Sequence, residues 1–274
     1  MQRIFTRSGV ELFVKEWGTG RPVVLIHGWP LSADSWDDVA LPLANAGFRA
    51  IAYDRRGFGR SSQPWEGYNY DTLSDDLADI LSMMQLSDVT LVGFSMGGGE
   101  VARFLSRHDR SQIRSVALLS SVVPCMLRSD SNPDGVAAEV FDEMSQALIK
   151  DRPNFFTTFF NDFYGVTKES KPVSSEWLAW THSLAMQAGL KATLDCAHAF
   201  ATTDFRPDLA SFTMPTLIIH GTNDKTVPID ATARKAASAI PGSELVEYPD
   251  APHGIIATHR DQLVHDLIAF CKAR

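Results

Sequence analysis

The 274-residue sequence predicts an α/β fold: a mainly parallel central sheet flanked by helices and interrupted once by a helical insertion. Three observations carry that prediction. Short apolar, β-branched runs alternate with helical stretches, the rhythm of strand-helix-strand units. One run, residues 89–93, turns through Gly93-Phe94-Ser95-Met96-Gly97 straight into a helical stretch. From about Cys125 to Thr203 the strand rhythm stops, and helical patterns alone continue.

Taken in order, the strand-like runs are 12–16, 23–27, 49–53, 89–93, 115–120, 216–220 and 245–248. Each is rich in Val, Ile, Leu or aromatic residues and is bounded by Gly, Pro, Asn or Asp, which punctuate strands with turns. The segments between them read as helices, so most neighbouring strands must run parallel. Residues 1–124 and 204–274 therefore form one core, and residues 125–203 form a helical cap over the rim of the sheet. Within the cap, helical patterns cover 136–151, 152–164, 174–187 and 190–202. Phe155-Phe156, Phe159-Phe160 and Phe163 recur at helical spacing, so one face meets the core and the other lines a pocket. A hydrophobic fraction of 45% and a charged fraction of 21% suit a single sizeable core.

Ser95 is the candidate nucleophile. A serine hydroxyl is unreactive at its free pKa and must be held in the open and given a base. Gly93 and Gly97 leave the space in which a sharp strand-to-helix turn can aim Oγ away from the sheet. The bare pentapeptide recurs by chance, so context decides. Here a carboxylate and then a histidine follow in the chain order Ser, Asp, His, each just beyond a strand-like run. Asp224 follows 216–220, and His253 follows 245–248 in Pro249-Asp250-Ala251-Pro252-His253-Gly254. Ligands of open α/β sheets bind outside the carboxyl ends of the strands, so the three belong on one rim. Asp204, Asp230 and Asp250 are the rival acids, each readable as a helix cap or surface charge. His27 and His220 end strands beside glycines as turn histidines, and His259 and His265 fall in the C-terminal helix.

In these roles His253 takes the Ser95 proton and returns it to the leaving group, while Asp224 orients the imidazole. A tetrahedral intermediate also needs donors for its oxyanion. One is the N–H of the residue after the nucleophile, Met96. The other is expected from the loop after run 23–27, at Trp29. Pro30 lacks an N–H and pushes Trp29 toward an extended conformation, which would turn the Trp29 carbonyl into the site. The alternative is that Trp29 and Pro30 only shape the loop.

The chain resembles the α/β-hydrolases, in particular the cofactor-free haloperoxidases, or perhydrolases, and the bacterial arylesterases. The resemblance spans nearly the whole chain and is carried by His27-Gly28-Trp29-Pro30, the run from Tyr53 to Ser61, Gly93-Phe94-Ser95-Met96-Gly97-Gly98, Asp204-Phe205-Arg206-Pro207-Asp208, His220-Gly221 with Asp224, and Ala251-Pro252-His253-Gly254. It implies a serine carboxylic-ester hydrolase with an acyl-Ser95 intermediate, taking small acyl or aryl esters. It further implies a perhydrolase side activity in which hydrogen peroxide replaces water. It also implies a homo-oligomer, a trimer or larger. A serine at the elbow argues against haloalkane dehalogenases and epoxide hydrolases, which use an aspartate there. By resemblance and spacing together, Pro30, Phe94, Met126, Met144, Phe159, Phe163 and Val227 join Trp29 as pocket lining. Lactones, cyclic amides or carbon–carbon bonds suit the same triad, and a non-catalytic ligand-binding protein is the remote alternative.

The net charge of −8 offers no basic patch, so nucleic acid is not an expected partner. Arg55-Arg56 reads as a structural pair near Asp54. No histidine pair has metal-ligand spacing with a supporting carboxylate, so neither a metal nor another cofactor is expected. Cys125, Cys196 and Cys271 lie far apart and imply reduced thiols rather than a disulfide framework. The first residues lack an apolar signal core and no stretch is long enough to span a bilayer, so a cytoplasmic enzyme is expected, without membrane partners.

Overall fold

The structure, a computed structural model, describes residues 2–274. An eight-stranded sheet runs in the order β1-β2-β4-β3-β5-β6-β7-β8. Its strands are β1 (Gln2–Phe5), β2 (Glu11–Trp17), β3 (Arg21–Ile26), β4 (Phe48–Tyr53), β5 (Val89–Phe94), β6 (Ile113–Leu119), β7 (Thr216–Gly221) and β8 (Glu244–Tyr248). β1 and β2 pair antiparallel at one edge; from β4 through β8 every pairing is parallel. β5, at the centre, is buried at all six positions, the continuous apolar run expected of a strand covered on both faces. The short edge strand β1 had no counterpart in the sequence reading. Of its four residues only Ile4 faces inward, too few for an alternating pattern to register.

The order reverses about β3, whose neighbours are β4 on one side and β5 on the other. Chain leaving the C-terminal ends of β3 and β5 therefore diverges and opens a crevice, the topological switch point where sheets of this kind bind ligands. Two helices flank the central crossover: α2 (Tyr70–Met83), capped by the Asn69 side chain, and α3 (Met96–Arg107), which starts one residue after Ser95. α1 (Asp37–Asn45), α7 (Ala233–Ala239), α8 (Ile255–Thr258) and α9 (Arg260–Ala273) complete the layers. His259 stands at the break between α8 and α9 with φ −126° and ψ 30°, so it lies outside the regular C-terminal helix assigned to it.

Between β6 and β7 the chain makes three α-helices, α4 (Ala138–Tyr164), α5 (Ser175–Met186) and α6 (Leu190–Thr202), and then a short 3₁₀ helix, Arg206–Ser211. The boundary expected between two helices near residue 151 survives as a kink inside α4. Asp151 takes φ −161° and ψ 80°, two residues before Pro153. Proline has no N–H and its ring crowds the preceding turn, so the helix restarts there, and the Asp151 carboxylate caps it by accepting from Asn154 N at 3.1 Å. No helix among the described residues is long and apolar enough to cross a membrane.

Candidate active site

Ser95 leaves β5 with φ 55° and ψ −118°, a conformation costing a non-glycine residue about 1–3 kcal/mol. Surrounding hydrogen bonds hold it there. Its N–H donates to the Leu119 carbonyl at 2.8 Å, and its own carbonyl accepts from Gly98 N at 3.0 Å and Val122 N at 3.3 Å. The flanking glycines are required by contact. A Cβ on Gly93 would sit 2.7 Å from backbone atoms of Gly97 and Gly98, and one on Gly97 would collide with the Ile26 carbonyl.

His253 Nε2 lies 3.0 Å from Ser95 Oγ, and its Nδ1 lies 2.7 Å from Asp224 Oδ2. An ionised carboxylate only accepts hydrogen bonds, so Nδ1 carries the ring proton and Nε2 is left to accept from the serine hydroxyl. Asp224 Oδ1 is occupied by the N–H groups of Thr226 at 2.9 Å and Val227 at 2.7 Å. Burial opposes ionisation of Asp224, but the electrostatic pull of His253 and His220 and their N–H groups directed at the carboxylate outweigh it and hold the carboxyl well below its ordinary range. The His253 ring is clasped by Phe94, with centroids 5.2 Å apart, and edge-on by Phe163 at 4.8 Å.

The loop after β3 passes close to the nucleophile: a Cβ on Gly28 would lie 3.0 Å from Ser95 Cβ. Trp29 and Pro30 form the centre of a turn closed by Leu31 N donating to the Gly28 carbonyl at 2.9 Å, with a cis peptide bond between them. The Trp29 indole donates to the Thr193 carbonyl at 3.0 Å and packs against Phe159 at 5.4 Å, which anchors the loop to α4 and α6. Among the described residues, the backbone N–H groups of Trp29 and Met96 have no protein acceptor and remain available to a ligand oxygen.

A cavity of about 420 Å³ opens onto Ser95. Of the residues predicted to line it, Trp29, Met126, Met144, Phe159 and Val227 do so, whereas Pro30, Phe94 and Phe163 do not. Phe94 and Phe163 are fully buried against His253, and Pro30 is buried within its turn. The helical stripes explain the error at Phe163. Phe155 and Phe159 share the face that meets the cavity, while Phe156, Phe160 and Phe163 follow the stripe that meets the core. Phe141 and Phe200 also line the cavity and were missed. Glu143, Asp162 and Lys225 stand at its mouth.

The rival acids are engaged elsewhere: Asp204 with Arg206, Asp230 with Arg234, and Asp250 in a turn with φ 56°. Arg55 and Arg56 are structural, as expected, but not through Asp54. Arg55 pairs with Glu100 and Arg56 with Asp76, and Asp54 binds Arg60 instead. The three cysteines are buried free thiols. Among the described residues no group of three or more His, Cys, Asp or Glu side chains is arranged to hold a metal.

A serine at a strained strand-to-helix turn, chained to a histidine and a carboxylate from later strand ends, defines the hydrolase class of this fold. The chain belongs to the α/β-hydrolase fold family, whose pattern it matches over residues 21–259. Within that family it is similar to the non-heme haloperoxidases. It is 45% identical to the non-heme chloroperoxidase CPO-A1 of Kitasatospora aureofaciens, covering 97% of each chain. It is 38% identical to the bifunctional esterase/perhydrolase DCH of Acinetobacter calcoaceticus over the whole of both. A bromoperoxidase from Bacillus anthracis superposes with a TM-score of 0.95 at 42% identity, covering 98% of each chain.

Proposed function

We propose that the protein is a serine carboxylic-ester hydrolase for small, arylesterase-type acyl esters that also carries out perhydrolysis. The hydrogen-bonded chain from Ser95 through His253 to Asp224, opening onto an apolar cavity, carries this reading. Ser95 Oγ attacks the ester carbonyl as its proton passes to His253 Nε2. The oxyanion receives the N–H groups of Trp29 and Met96. Removing one such donor typically costs a factor of about 10²–10³ in turnover, so two fixed amides are a major part of the catalysis. Collapse of the tetrahedral intermediate expels the alcohol, which takes the proton from His253, and leaves acyl-Ser95.

Water then attacks the acyl-enzyme with His253 as base and releases the carboxylic acid. When hydrogen peroxide attacks instead, the acyl group leaves as a peracid and Ser95 regains its proton. The peracid oxidises halide to hypohalous acid in solution and is itself reduced to the carboxylic acid. Similarity to named chloroperoxidases and to an esterase/perhydrolase supports this second branch. The segment 125–203, read as a cap, supplies Met126 from the stretch before α4 and Met144 and Phe159 from α4, whose bulk suits short or aromatic acyl groups.

The test is turnover of 4-nitrophenyl acetate by wild type and Ser95→Ala, with and without peroxide in metal-chelated buffer, following acid release and halide oxidation together. Both activities vanish in Ser95→Ala if the reading holds; ester turnover that survives removes it. The perhydrolytic branch is tied to the Trp29-Pro30 turn. A Pro30→Leu enzyme whose ratio of perhydrolysis to hydrolysis equals that of wild type cuts that tie.

A further inference from the structure

We infer that His220 is a positioning residue for this hydrolysis: its Nε2–H grips the outer side of the Asp224 carboxylate and the loop that presents it, an inference resting on the triad reading above. His220 is fully buried near the end of β7, four residues before Asp224. Its Nε2 lies 2.8 Å from the Val227 carbonyl and 3.2 Å from Asp224 Oδ2. The Val227 carbonyl is an acceptor, so Nε2 carries a proton, and Asp224 Oδ2 lies within electrostatic reach of that N–H. Nδ1 is buried with no hydrogen-bond partner among the described residues, so the ring is held through Nε2 alone. Glu247 is paired with His220 across β7 and β8, and Arg234 already holds its two oxygens at 2.8 and 2.7 Å.

The Asp224 carboxylate therefore sits between two imidazoles. His253 Nδ1 and His220 Nε2 both meet Oδ2, while the amides of Thr226 and Val227 fill Oδ1. Without His220, Oδ2 keeps His253 alone, and the Val227 carbonyl loses its partner. Val227 also lines the cavity beside Ser95, so one side chain fixes the orientation of the acid and part of the pocket wall. A purely structural histidine at a strand end would need the ring's shape and its bond to Val227, but not the contact with the acid.

Three variants separate these roles. His220→Leu fills the space without a donor, His220→Gln carries an amide N–H close to the position of Nε2, and the shorter amide of His220→Asn stops short of Asp224. On 4-nitrophenyl acetate, His220→Leu is expected to lose about 10–100-fold in kcat, the range seen when a group supporting a functional side chain is removed, with KM little changed. His220→Gln is expected to recover most of that loss. Where His220→Leu does not fold, His220→Asn takes its place and is expected to be low. Wild-type kcat in folded His220→Leu or His220→Asn overturns the inference, as does His220→Gln matching the impaired variant. The low-field proton resonance of His253 Nδ1, followed in Ser95→Ala protein, tests the contact without turnover: it is expected to move when His220→Leu or His220→Asn is added, and an unmoved resonance overturns the inference. Turnover surviving in Ser95→Ala alone overturns the triad reading instead, so the two failures are distinguishable.

Discussion

Arg55, just beyond β4, and Glu100, in the first turns of α3, form an ion pair in which each side chain is about 1% exposed. Arg55 also donates to the His27 carbonyl at 2.6 Å, and Glu100 accepts from the Tyr53 hydroxyl at 2.8 Å. The pair thus joins the loop carrying the Trp29 N–H to the helix carrying the Met96 N–H, the two donors proposed for the oxyanion. Removing one partner of a buried pair leaves an uncompensated charge and costs about 3–5 kcal/mol, whereas replacing both with apolar side chains is far milder. Urea denaturation is therefore expected to show Arg55→Met and Glu100→Leu each strongly destabilised and the double variant less so than the sum of the two. Simple additivity would sink the idea that the two act as a unit.

The elbow makes a sharper demand. Gly97 has no room for a methyl group because the Ile26 carbonyl of the neighbouring strand occupies that space. Gly97→Ala should lose about 1–3 kcal/mol, the usual cost of overpacking. Because the same shift displaces Ser95 and Met96, kcat should fall with it. A Gly97→Ala enzyme of wild-type stability, read by thermal unfolding, would show that the close approach is not rigid.

Met144 lines both the cavity of about 420 Å³ at Ser95 and another of about 140 Å³. Truncation to alanine is expected to join them and to lengthen the acyl chain that is accepted. Each extra methylene that becomes buried gains about 0.8 kcal/mol, or roughly fourfold in relative kcat/KM. A series of 4-nitrophenyl esters from acetate to hexanoate reads this directly, and an unchanged chain-length profile would refute it.

What was legible in the sequence follows from where each kind of information lies. Ser95 and His253 are 158 positions apart, yet each announces itself by local grammar, a turn motif or a loop just past an apolar strand. A parallel sheet brings all such strand ends to one rim, so local signals suffice to place the three residues together. Phe163 was misplaced because helical spacing fixes which residues share a face but not which face meets the cavity. Periodicity assigned the phenylalanines to stripes, and only the packing of Phe163 against His253, with Phe156 and Phe160 buried on the same stripe, shows which stripe meets the core. The same limit hid the partners of Arg55 and Arg56, since charge pairing inside a core depends on side-chain reach between elements. His220 shows it most clearly: its position beside a glycine marked a turn, while its contact with Asp224 is a matter of loop geometry after β7.

His27 gives a prediction whose sign is fixed by linkage. Burial first, and then the charge of Arg55, hold its pKa well below the ordinary 6.5. In the folded protein its Nε2 accepts from Arg55 N at 3.0 Å, while Nδ1 lies 2.9 Å from the Gly28 carbonyl, so the neutral ring is fully used. The unfolded chain takes up a proton near pH 6.5, and the folded chain does so only at much lower pH. Stability from this residue is therefore complete above pH 6.5 and is lost as pH falls below it, at about 1.4 kcal/mol per pH unit. His27→Gln removes the titration while keeping an acceptor, so the stability difference between wild type and variant should shrink steadily as pH falls from 6.5 to 5. Urea titrations at a series of pH values measure it, and a difference that does not vary with pH would rule out a buried neutral His27. Because His27 begins the loop that carries the Trp29 N–H, acid is expected to loosen the proposed oxyanion site before the rest of the sheet, and turnover should fall at a higher pH than global unfolding begins.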